Sequence, residues 1–131
     1  MMTYTVKTRS RDEIVDITGL ARQAVSESGI VNGQCLVYVP HTTAGITINE
    51  NADPSVKSDL IMALRKSVPD TYPYTHMEGN SPAHVKASLM GTSAFVIIDN
   101  GNLVLGTWQG IFFCEFDGPR NRKVHIKITS D

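Results

Sequence analysis

Three histidines of this chain fall where side chains can do chemistry. His41 follows an apolar run that ends at Pro40, His76 lies in a segment of turn formers, and His84 stands in the first turn of an expected helix. Each has polar company: Thr42 and Thr43, Glu78 and Asn80, and Ser81 respectively. Three neutral imidazoles around an open position can bind zinc and activate water, and two imidazoles with a carboxylate suit other divalent metals. No His-Glu-x-x-His or paired Cys-x-x-Cys links them, so purely structural hydrogen bonds by each ring stay an alternative. His41 also opens the densest polar stretch, running to Asp53 with Thr47, Asn49, Glu50 and Asn51. A loop turns with Gly, Pro or Asn alone, so this many functional groups after a buried strand marks the wall of a polar site.

Further candidates lie elsewhere. Glu115 shares strand parity with Ile111 and Phe113 while Phe112, Cys114 and Phe116 take the other face, so it is a carboxylate in apolar surroundings. Such a group must be paired, hydrogen-bonded or protonated. Arg120, beyond a Gly-Pro turn, is its expected partner, and a structural ion pair and a catalytic acid/base role both stand. Gly106-Thr107-Trp108-Gln109-Gly110 reads either as a bulged strand with a packed Trp or as a platform for a planar ligand. Asn49, Glu50, Asn51 and Asp53 suit a metal or a hydroxylated ligand, with a helix cap as the alternative for Asp53. No Gly-rich phosphate loop is present, but Lys86 and Arg120 are available to an anion. His125 alternates with Lys123 and Lys127 on a solvated face and is left out of the site.

These residues need elements to hold them. Tyr4 and Val6 mark a half-exposed opening strand, and residues 13–15 a second. Ile17, Leu20, Ala21, Ala24 and Val25 form one helical face, with Asp16 or Thr18 as cap and Gly29 past the end. Residues 35–39 are a buried strand, and Asp53-Pro54 starts a helix whose Val56, Leu60, Leu64 and Val68 share a face. Residues 70–80 have no period, and a loop of that length in a compact domain is usually functional. Ser81-Pro82 opens a short helix closed by Gly91, with Val85 and Leu89 expected toward the core. The last third is β: Phe95–Ile98, an Asn100-Gly101 hairpin, Leu103–Leu105, Ile111–Phe116 and an alternating final strand.

Composition narrows the function classes. A length of 131 residues makes one domain, and 41% apolar with 19% charged residues is ordinary for a globular chain. A net charge of −1 carries no footprint for nucleic acid or an anionic membrane surface. No run approaches the roughly 20 apolar residues that span a bilayer. Cys35 and Cys114 sit in apolar strand patterns, as buried thiols rather than a disulfide or a metal pair, and no apolar leader opens the chain; a reduced, cytoplasmic setting is the expectation.

The chain resembles the YjbQ-like family, also called uncharacterised protein family 0047, over essentially its whole length. Three blocks carry the resemblance: His41 to Pro54, Tyr74-Thr75-His76 with Gly79 to His84, and Gly106 to Arg120. It implies a single α+β domain spanning 1–131, mostly antiparallel sheets with about three helices, assembled as a homotrimer around packed β-sheets. It also implies a divalent-metal site at His41, His76 and His84, and a secondary, weak thiamine phosphate synthase activity. That reaction joins a pyrimidine diphosphate to a thiazole phosphate and releases pyrophosphate. Such a transferase would use Mg²⁺ or cations on the pyrophosphate, with Glu50, Asp53 or Glu115 on the metal, Lys86 and Arg120 on phosphate, Trp108 or Tyr74 stacked on the ring, and Thr42, Asn49, Asn80 and Gln109 around the small-molecule substrate. The other expectations are a zinc-dependent hydrolase or lyase with Glu115 or Glu50 moving the proton, and a non-enzymatic trimeric ligand-binding protein.

Overall fold

A computed structural model describes residues 1–131. Along the chain come β1 (Met2–Lys7), β2 (Glu13–Asp16), α1 (Thr18–Ser28), β3 (Gly33–Tyr38), β4 (Ala44–Glu50), α2 (Pro54–Ser67), α3 (Ser81–Met90), β5 (Ser93–Asp99), β6 (Asn102–Leu103), β7 (Gln109–Glu115) and β8 (Asn121–Ser130). Five strands form one sheet in the order β1-β8-β3-β5-β6, and three form another in the order β2-β7-β4. Every pairing is antiparallel. The α+β class with three helices is therefore as the resemblance implies.

Strand β7 explains the layering, because both its faces are apolar. Ile111 and Phe113 join Val37, Ile46, Val96, Val124 and Ile126 in the main core, where the two sheets and α1 meet. Phe112 and Cys114, followed by Phe116, form a second core with Ala83 and Ala87 of α3, against which Leu60, Ile61 and Leu64 of α2 pack. A strand covered on both sides reads as an unbroken apolar run, which is how 111–114 looks in the sequence. Both cysteines are free and buried, and burial pushes the thiols up to about 11 for Cys35 and about 12 for Cys114.

The local signals work as physics requires. Asp53 accepts from the Ser55 N–H at 2.9 Å, and Asp16 accepts from the Thr18 N–H at 2.9 Å, each answering a donor that a helix start leaves free. Gly29 ends α1 at φ 68°, and Asn100-Gly101 turn the chain at φ 50° and 80°, the positive values a two-residue hairpin needs.

Several expectations are corrected. In α3, Val85 and Leu89 are exposed, and Pro82, Ala83, Lys86 and Ala87 face inward. Close approach favours the small residues there: α3 lies so near β4 that a Cβ on Gly45 would stand 2.8 Å from the Gly91 carbonyl oxygen, while Lys86 reaches past to the buried Asp12 carboxylate. Asn80 rather than Ser81 precedes that helix. The run 95–98 alternates, with Val96 and Ile98 buried and Phe95 and Ile97 exposed on an outer sheet face with Tyr38. The return strand is only Asn102–Leu103, and α2 buries none of its residues fully.

Candidate functional site

Four segments meet at one end of the three-stranded sheet: residues 41–43 before β4, the loop ending at Asn80, the first turn of α3, and the turn 117–120 between β7 and β8. The anchor beneath them is a buried ion pair. Arg122 Nε donates to both Glu115 carboxylate oxygens at 2.9 and 3.1 Å, and its Nη2 donates to Thr43 Oγ1 at 2.8 Å. Glu115 is wholly buried and also accepts from Thr8 Oγ1 at 2.7 Å and from the Phe116 and Asp117 N–H groups. Its partner is thus Arg122 and not Arg120: Arg122 reaches it from β8 in the other sheet, a meeting that strand parity alone does not reveal. Satisfied on all sides, Glu115 holds the floor of the site and is not among the residues that line the cleft above it.

Above this floor opens a cleft of about 420 Å³ lined by Pro40, His41, Thr42, Thr43, His76, Glu78, Asn80, His84, Asp117, Arg120 and Arg122, with no hydrophobic residue among them. Arg120 donates through Nη2 to Asp117 Oδ2 at 2.8 Å and through Nε to the Asp117 carbonyl oxygen at 2.7 Å. The Asn80 amide nitrogen donates to the same Asp117 carboxylate at 3.0 Å, while Asn80 Oδ1 is buried with no hydrogen-bond partner. The His76 and His84 rings lie edge to face with centroids 5.3 Å apart, and His76 Nε2 is 4.0 Å from Glu78 Oε2. His41 Nε2 accepts from the Lys123 N–H at 2.9 Å. Burial, and then the positive charge of Arg122, hold the His41 imidazole below its ordinary value and favour its neutral form.

His84 also lines two adjoining hollows. One, of about 550 Å³, runs along Ala44, Ala87, Ser88 and Gly91, and the other, of about 440 Å³, is walled by Pro73 and Tyr74.

The profile of the UPF0047 protein YjbQ-like family matches residues 2–131 of the chain. The chain belongs to this family. It is 57% identical to the UPF0047 protein MJ1081 of Methanocaldococcus jannaschii over 98% of this chain and 93% of that one. It is 52% identical to the UPF0047 protein YugU of Bacillus subtilis, over 98% of both chains. A crystal structure of an uncharacterised YjbQ/UPF0047-family protein from Clostridium acetobutylicum superposes with a TM-score of 0.97 at 57% identity, covering 98% of this chain and all 100% of that one. A YbjQ-like protein of unknown function from Sulfolobus solfataricus, 34% identical, superposes with a TM-score of 0.95 over 99% of this chain and 96% of that one.

Within this UPF0047 domain the expected residues divide. His41, His76, His84, Thr42, Asn80 and Arg120 come together in the cleft. Asn49, Glu50, Trp108 and Gln109 do not. Asn49 pairs with Gly110 and Glu50 with Gln109, six residues along the ladder from the pair Ala44–Glu115, about 20 Å away. There Glu50 accepts from the Ala52 N–H at 3.0 Å, Gln109 accepts from the Gly106 N–H at 2.7 Å, and Trp108 is exposed. Lys86 also moves out of the candidate set. Its ammonium is buried 3.3 Å from Asp12, a carboxylate that Arg65 Nε meets at 2.8 Å and Arg11 at 3.2 Å. Burial alone would raise Asp12, and these cations outweigh it and bring the carboxyl below its ordinary range. Arg122, which shares the inward parity of Val124 and Ile126 on β8, and Asp117 are cleft residues that sequence reading missed; a buried Glu without a cation on its own strand and an arginine on an apolar strand face were the available signals.

The three-histidine metal set is not assembled in this geometry. No three His, Cys, Asp or Glu side chains converge as a metal-holding group, and His41 Nε2 is already engaged with a backbone donor. The pair His76–His84 is what the fold places side by side. No helix is long and apolar enough to cross a membrane.

Proposed function

We propose that the polar cleft is a small-molecule enzyme site for a phosphate-bearing substrate. The observation that carries this reading is the lining: two arginines and three imidazoles, with Glu78 and Asp117, around a cleft whose side chains are polar apart from Pro40. Arginine presents a planar fork that matches phosphate oxygens, and neutral imidazoles add donors and acceptors without charge. The adjoining hollows beside Tyr74 and beside Ala87 suit a planar organic portion of the same substrate.

The reading extends to the thiamine phosphate synthase reaction that the family resemblance implies. In that reaction the bond from the pyrimidine methylene carbon to the pyrophosphate oxygen breaks, and the thiazole nitrogen supplies the electron pair for the new C–N bond. Arg120 and Arg122 would take the charge gathering on the departing pyrophosphate. The test is pyrophosphate release from the pyrimidine diphosphate and thiazole phosphate by purified protein, with Arg120→Ala beside it. Turnover reduced at least about tenfold in the variant is expected; equal background release by both removes the activity from this cleft.

A second reading, metal-dependent hydrolysis or elimination, is favoured by the His76–His84 pair, with zinc or a similar divalent ion as its cofactor; oxygen ligands from Glu78 or Asp117 would admit Mg²⁺. Calorimetric titration with Zn²⁺ of wild type and His84→Ala tests it, and identical isotherms would remove His84 from any ligand set. The homotrimer is likewise proposed, with the exposed face of Phe95, Ile97 and Tyr38 as the contact. Sedimentation equilibrium of Phe95→Asp checks it, a shift to lower mass being the expected result.

A further inference from the structure

The three cleft histidines are not equivalent, and β8 makes the difference. The antiparallel register of β3 with β8 pairs Tyr38 with His125, so its continuation would set Pro40 opposite Lys123. The chain does not continue that ladder: β3 stops at Tyr38, and only its other ladder, to β5, runs one step further, the Val39 N–H donating to the Thr92 carbonyl oxygen at 2.8 Å. The Lys123 N–H is therefore left without a strand carbonyl, and the His41 ring fills that place, Nε2 accepting at 2.9 Å. The bond carries the hydrogen bonding of the β8 edge one step beyond β3, which ties the ring to the fold as well as to the site.

A backbone N–H can only donate. His41 Nε2 must then keep its lone pair, and the hydrogen of the neutral ring sits on Nδ1. Nδ1 has no protein partner, and the ring lines both the polar cleft and the hollow along α3. The neutral form is also the one that burial and Arg122 favour. Metal coordination needs a lone pair that His41 does not have free: Nδ1 carries a hydrogen, and Nε2 could bind an ion only by releasing Lys123.

We infer that His41 is a fixed, neutral Nδ1–H donor to an anionic oxygen bound beside Arg122, held in that tautomer by the β8 backbone, and that it stands outside any metal set formed by His76 and His84. The inference rests on the anion-binding reading of the cleft for its ligand, but its tautomer is independent of that reading.

The experiment is nitrogen-15 imidazole spectroscopy of the full chain at neutral pH, with His41 assigned by the signal lost in His41→Gln. The expected pattern is a protonated Nδ1 and a bare Nε2, unchanged by added Zn²⁺. A protonated Nε2, or a metal-bound shift at either His41 nitrogen, overturns the inference. Inorganic phosphate then serves as the probe. A glutamine can keep the acceptor toward Lys123 and present a neutral N–H, so His41→Gln should bind phosphate within roughly threefold of wild type, and His41→Ala roughly tenfold more weakly. Equal losses in the two variants would overturn the donor role. Absence of phosphate binding by wild type, with the Nδ1–H tautomer observed, would sink the anion reading and leave the tautomer assignment standing.

Discussion

The two ends of the β4–β7 ladder carry comparable densities of polar side chains and meet different fates. At the Glu115 end, residues from four separate segments converge over a buried Arg122–Glu115 pair. At the Gln109 end, Glu50, Asn49, Asp53 and Gln109 bond mainly to backbone within a few residues of themselves. The first end spends its polar groups on contacts distant in sequence and leaves others facing a cavity. The second answers the donors of a turn and a helix start. Convergence, not the number of functional groups, separates a candidate site from well-made turns.

The strongest way to break this contrast is to remove the pair under the cleft. Arg122→Ala leaves Glu115 buried without its cation, and a loss of about 3–5 kcal/mol in urea denaturation is expected. A loss within about 0.5 kcal/mol, the range of an ordinary surface substitution, would show that the pair does not hold that end together.

Glycines sharpen the comparison next. A Cβ on Gly45 would meet the Gly91 carbonyl oxygen at 2.8 Å and Met90 Cβ at 2.9 Å, whereas on Gly110 it would meet the Asn51 side chain at 2.7 Å. The backbone at the end of α3 cannot move aside as readily as the Asn51 side chain can. Gly45→Ala should cost about 1–3 kcal/mol and displace His84 with α3, with Gly110→Ala milder. Equal thermal shifts for the two would contradict the difference in neighbours.

Arg120→Ala should weaken phosphate binding roughly tenfold while leaving stability within about 0.5 kcal/mol, since its guanidinium is half exposed and its one carboxylate partner is on the surface turn. Calorimetry with inorganic phosphate reads the first quantity and denaturation the second. An unchanged affinity would take Arg120 out of the site.

The pH dependence is smaller. His41 is held below its ordinary value of 6.5, so the folded state binds its proton less readily than the unfolded chain does. The stability this contributes is complete above about 6.5 and is lost as pH falls from there toward the lower folded value. Wild type should therefore lose stability between neutral and mildly acidic pH to an extent that His41→Gln does not, and parallel curves would refute the assignment. Least of all should follow from Trp108→Ala, whose indole is exposed at the far end. Unchanged phosphate affinity is expected, and a large loss would mean that the far end of a second copy reaches the cleft.

Sequence alone determined the elements, because their causes are local. Asp53-Pro54, Gly29 and Asn100-Gly101 act through hydrogen bonds and φ values spanning a few residues, and the doubly apolar run of β7 specifies a strand covered on both faces. Imidazoles, an amide and an arginine gathered with other polar groups in turn-rich segments also marked His41, His76, His84, Asn80 and Arg120. Only the tertiary structure decided which of these groups meet. Periodicity fixes a side chain's phase on its own element but not the size of the gap across from it, so the close approach of Gly45 to Gly91 turned Val85 and Leu89 outward. Packing between the two sheets gave Glu115 its Arg122, and strand pairing, likewise a relation between distant segments, carried Glu50 and Trp108 to the opposite end and set the His41 ring where a strand carbonyl would have stood.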